Sequence, residues 1–126
     1  MFILGIAIAT VVSFIASAAL YAVPPVSALV TRTSTPRPGV PVAVQMASVL
    51  LRSLLASCLV AGLMAAAGWQ GAASGAALGL ALSVLPLILL MGGIVHENTA
   101  PSAAAVHLLD WVIKLTIIGA LVGLFI

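Results

Sequence analysis

Four ionisable residues of this 126-residue chain, Arg52, His107, Asp110 and Lys114, stand inside long apolar runs, where a charge is costly and therefore informative. Asp110 and Lys114 are four residues apart, which on a helix stacks them on one face and lets them pair, and His107 shares that face. Such groups can relay a proton or ion, dock a partner subunit, or simply register one helix against another, because polar groups in hydrocarbon act as glue. Counted as formal charges, Arg52 and Lys114 outweigh Asp110 by one. An acidic group or lipid phosphate from outside the chain is expected to complete the set.

Beyond this cluster the chemistry thins out. Serines, histidines and an aspartate occur, but no spacing assembles a nucleophile, a base and an orienting group, and there is no phosphate-binding loop. His96-Glu97 could bind a metal or titrate at a membrane surface, yet without further ligand spacing the pair reads as a solvated loop. Cys58, alone in an apolar run, offers neither a disulfide nor a zinc pattern. The expectation is no enzymatic activity, no cofactor and no metal.

These side chains must be positioned by membrane-spanning elements. Hydrophobic residues make up 64% of the chain and charged ones 5%, where a soluble domain carries about 25% charged residues. Mean hydropathy is +1.41. The pI near 9.3 rests on four cations (Arg32, Arg37, Arg52, Lys114) against Glu97 and Asp110, which is no nucleic-acid surface. A crossing takes about 20 apolar residues, so this length holds at most four, with nothing left for a soluble domain. The fold class expected is an all-α integral membrane protein, a single antiparallel bundle of four transmembrane helices with short loops.

The first span is expected over 2–23, ending at Pro24-Pro25, which remove backbone donors and disfavour helix just before them. Ala16-Ser17-Ala18 has the look of a small-residue cleavage site, but no basic segment precedes it, and the run is read as a retained helix. Thr31 to Pro41, with two arginines, three prolines and a glycine, reads as an irregular loop. The second span is expected over 42–67, a turn at Gly68-Trp69-Gln70-Gly71, and the third over 72–95, kinked by Pro86. The fourth follows over 102–126, with Pro101 suited to a first helical turn. Trp69 is the ring expected at headgroup depth.

Arg32 and Arg37 share the first loop and no other loop holds a lysine or arginine. The positive-inside rule therefore predicts cytoplasmic first and third loops, and both termini outside a bacterial plasma membrane. Arg52 and Asp110 each fall about nine residues into their spans from the same side, roughly 13–14 Å at 1.5 Å per residue. That matched depth predicts an ion pair between the second and fourth spans. Small residues at every fourth position, Gly71, Gly75, Gly79 and Ser83 in the third span and Gly119 and Gly123 in the fourth, predict close packing of those two helices in the outer half of the membrane.

Tyr21-Ala22-Val23-Pro24 closing the first span, and Leu109-Asp110-Trp111 through Gly119 in the fourth, resemble a widespread family of small four-helix bacterial membrane proteins, a domain of unknown function numbered 1761. The resemblance implies a four-helix fold and no established activity. The partners expected are the lipid bilayer and a larger membrane complex. The leading functional expectation is a non-enzymatic accessory subunit that stabilises or regulates a transporter or envelope complex. A lipid-uptake transporter of the mammalian-cell-entry type is one candidate for that complex, though no motif points to it. The alternative is a small homo-oligomeric proton-coupled transporter or channel, in which Asp110 would carry the essential acid.

Overall fold

The computed structural model describes Met1–Ile126 as six helices and no strand: α1 (Phe2–Ala22), α2 (Pro24–Thr33), α3 (Val42–Ala67), α4 (Ala72–Leu82), α5 (Val84–His96) and α6 (Pro101–Leu124). Four stretches are long and apolar enough to cross a membrane: α1, α3, α4 with α5, and α6. Up-and-down connection of four crossings brings the two chain ends to one end of the bundle. A Cβ added to Gly5 would come 2.9 Å from the Phe125 Cβ. This is called the terminal end below; the opposite end, carrying α2 and the proline-rich segment, is the loop end.

Pro24 and Pro25 do end α1, but they also begin α2, a helix not anticipated from the sequence. The reason is the asymmetry of proline: it cannot continue a helix, yet at the first two positions its missing N–H is an orphan anyway and its φ is already helical. Val23, extended at φ −62° and ψ 125°, is the hinge, and its carbonyl accepts from the Ser27 N–H. Arg32 sits in the last turn of α2, where a cation complements the helix dipole. The expected irregular loop is thus shorter, beginning at Ser34. Pro38-Gly39 turns it, with Gly39 at φ +80° and the Val40 N–H bonded to the Arg37 carbonyl, the pattern of a type II turn.

At the terminal end, α3 closes on Gly68 in the left-handed conformation, and the Trp69 N–H reaches back to the Met64 carbonyl. The Gly71 N–H then donates to the Gly123 carbonyl, tying this turn to the last residues of α6. The third span is a broken helix. Pro86 has no N–H to offer the preceding turn, and the chain bends at Ser83, whose hydroxyl donates to the Gly79 carbonyl.

Packing is uneven along the bundle. The centre is built by α1, α3 and α6, with α4 laid against α6. There the glycines meet backbone to backbone: a Cβ on Gly75 would overlap the Gly119 carbonyl, one on Gly79 the Leu115 carbonyl, and one on Gly123 the Gly71 carbonyl. The small residues of the third and fourth spans are therefore in direct contact, toward the terminal end. The apolar core of that end is Ala9, Val60, Ala61, Met64, Ile118 and Val122. By contrast α5 has no buried residue, and Leu85, Leu87 and Leu89 face outward.

A polar chamber at the loop end as the candidate functional site

One helical turn toward the loop end from that core, the interior changes character. Ser13 and Ser17 from α1, Ser53 and Ser57 from α3, and Asp110 and Lys114 from α6 are all buried. Serine four residues apart on a helix presents two hydroxyls to one face, and Ser57 satisfies its own on the Ser53 carbonyl. The Ser53 hydroxyl, fully buried, has no partner within the chain.

Asp110 and Lys114 pair within α6. The Lys114 ammonium lies 3.3 Å from a carboxylate oxygen of Asp110 and 4.8 Å from the centroid of the Trp111 ring, so it is held between an anion and an aromatic face. Lys114 is only 2% exposed. A charge so enclosed in a membrane protein is tolerated because it is paired at once by its own helix, one turn away.

The expected ion pair between Arg52 and Asp110 is not formed. The carboxylate is engaged by Lys114, and Arg52 makes neither an ion pair nor a side-chain hydrogen bond within the chain. Arg52 and Asp110 do border the same cavity. Height alone does not make a pair: rise per residue sets position along a helix and says nothing about which way the helix is turned about its axis.

His107, one turn from Asp110, meets α1. A hydrogen bond of 2.8 Å joins the Tyr21 hydroxyl and Nδ1 of His107, with ring centroids 6.0 Å apart. With the neutral imidazole protonated on Nε2, the hydroxyl is the donor. Tyr21 is the residue that sequence reasoning passed over. Its position near Pro24 marked it as the end of a span and as part of the stretch that resembles the family, and nothing local in the sequence pairs it with a residue 86 positions away.

Of these groups Ser17, Tyr21, Arg52, His107 and Asp110 border a chamber of about 1080 Å³ at the loop end, walled by α1, α2, the segment after it, α3, Leu90 of α5, and α6. Arg37, Arg52, His107, Asp110 and Tyr21 contribute its polar lining. With Asp110 neutralised by Lys114, the two arginines leave the lining cationic. No residue of the apolar core at the terminal end contributes to the chamber's lining.

A family model described as protein of unknown function (DUF1761) matches residues 4–123, nearly the whole chain. The chain belongs to that family. No curated protein and no solved structure matches it. The two stretches by which the sequence resembles DUF1761 members, around Tyr21 and around Asp110-Trp111, both contribute walls to the chamber.

The remaining candidate residues lie elsewhere. Gly71, Gly75, Gly79, Gly119 and Gly123 belong to the α4–α6 contact, and Ser83 to the bend. His96 and Glu97 are exposed at the turn into α6, and no group of three or more metal-ligating side chains is brought together anywhere in the chain. Cys58 is exposed on α3.

Proposed function

We propose that the protein is a non-enzymatic subunit of a larger membrane transport or envelope assembly, and that its working part is the loop-end chamber, a binding compartment for an anionic ligand. The observation that carries this is the asymmetry of the interior. A chamber with a cationic lining occupies the loop end, while the terminal half is filled by side chains and by glycine backbones in contact. That arrangement suits holding a ligand and is poorly suited to conducting one through a single bundle. The outward leucines of α5, with no buried residue on that helix, give a larger partner an apolar face to pack on. The reading places the protein in a bacterial plasma membrane with Arg32 and Arg37, and so the loop-end chamber that Arg37 lines, toward the cytoplasmic side, and both termini outside.

Purification at native expression level, followed by mass analysis of the intact species, tests the partnership. A complex much heavier than the chain supports it, and a chain that runs alone overturns it.

A homo-oligomeric proton-coupled transporter is the second reading, favoured by the ionisable groups Tyr21, His107 and Asp110 lining one compartment. Its test is proton-driven flux in liposomes, with Asp110→Asn abolishing it.

A further inference from the structure

Arg52 stands where two cavities meet. It borders the chamber, and it also borders a smaller, open crevice of about 400 Å³ between α3, the bent third span and α6. Trp111 is likewise common to both. The crevice is otherwise apolar, with Leu55 and Leu59 on α3 facing Leu82 and Leu89 of the third span.

Three features of this junction point the same way. Arg52 is exposed, lies within a membrane-crossing helix, and has no acidic group of the chain at ion-pair distance. A guanidinium at that depth takes an anion from outside the chain, and its planar fork of donors matches phosphate oxygens. Secondly, the apolar crevice runs from Arg52 toward the terminal end, since Leu55 and Leu59 succeed Arg52 by about one and two helical turns. Thirdly, the cationic chamber lies on the loop side of the same arginine. Polar space toward the loop end, an arginine at the junction and an apolar slot toward the terminal end reproduce, in that order, the head, phosphate and acyl chain of a phospholipid drawn from the loop-end leaflet into the bundle, its phosphate below the ordinary headgroup level.

We infer that the chamber and crevice together form a site for one anionic phospholipid, its phosphate on the Arg52 guanidinium, its headgroup in the chamber and an acyl chain in the crevice beside Trp111. This rests on the chamber being a ligand compartment, as proposed above, and is independent of any protein partner.

Trp111 is a built-in reporter, because bromines on an acyl chain quench an adjacent indole. The Trp69→Phe protein, in which Trp111 is the sole tryptophan, is reconstituted into phosphatidylcholine vesicles. Quenching is then compared as a small fraction of brominated-chain phosphatidylglycerol or of brominated-chain phosphatidylcholine is added. The anionic lipid should be preferred about tenfold, the scale of one charge-assisted contact. Arg52→Gln should bring the preference to about one, and Arg52→Lys should keep part of it, since the charge survives and the fork does not. In a Trp111→Phe protein, Trp69 at the opposite end should show no preference that depends on Arg52.

Equal quenching by the two lipids overturns the site, as does a preference untouched by Arg52→Gln. Relief of quenching by soluble glycerol phosphate would identify a free anion as the ligand and also overturn it. A chain that purifies alone yet keeps the lipid preference sinks the partner reading and not this one. A partnered chain without the preference does the reverse.

Discussion

At the scale of single residues, the interior polar groups form two contacts, the Asp110–Lys114 ion pair and the Tyr21–His107 hydrogen bond, and each can be tested by removing one group. Asp110→Leu leaves the Lys114 ammonium buried with only an indole face for company, and breaking a buried pair typically costs about 3–5 kcal/mol. A markedly lower unfolding temperature in detergent is the expected result. The double replacement Asp110→Leu with Lys114→Met should recover much of the loss, because neither charge then remains to be solvated. Tyr21→Phe removes one neutral hydrogen bond to His107 and should cost about 1 kcal/mol in the same assay. Asp110 and Lys114 were legible as a pair because their contact is local, fixed by spacing along one helix. Arg52 was legible as a buried-depth cation but not as an unpaired one, because its neighbours depend on how α3 is rotated. His107 was visible on the Asp110–Lys114 face, but its pairing with Tyr21 depends on a contact across the bundle and left no periodic signal.

Among the elements, the tightest joint is that between α4 and α6. A methyl group at Gly75 or Gly119 would collide with the opposing backbone, which cannot retreat as a flexible side chain could. Gly119→Ala should therefore destabilise by at least about 2 kcal/mol, within the range of overpacked interiors. Gly62→Ala, where added carbon meets nothing within 4 Å, should be neutral or stabilise by up to about 1 kcal/mol. Measured side by side by thermal unfolding in detergent, the two glycines separate a packing requirement from a general intolerance of substitution. The glycine spacing was visible in the sequence because close backbone approach needs small residues at one helical period. The four spans were visible for a similarly simple reason, a long unbroken apolar composition. The helix α2 was not, because Pro24-Pro25 carries equal information about ending one helix and starting the next.

For the whole molecule, the all-α four-span fold and the family follow from hydropathy and from the full-length match, whereas sidedness is carried by two arginines in one segment. In a Cys58→Ala background, a membrane-impermeant maleimide should reach Gln70→Cys from outside the cell, and reach Gly39→Cys only once the membrane is opened. The reverse labelling would invert the proposed orientation. The unequal filling of the bundle has an electrical consequence. Water admitted to the chamber is a conductor, so the insulating layer across this protein is only the packed half between Lys114 and the terminal end. A membrane voltage, acting on each elementary charge with about 2.3 kcal/mol per 100 mV over the full drop, is concentrated on that shorter distance. The Lys114 ammonium and the Asp110 carboxylate sit at its edge, where the field begins.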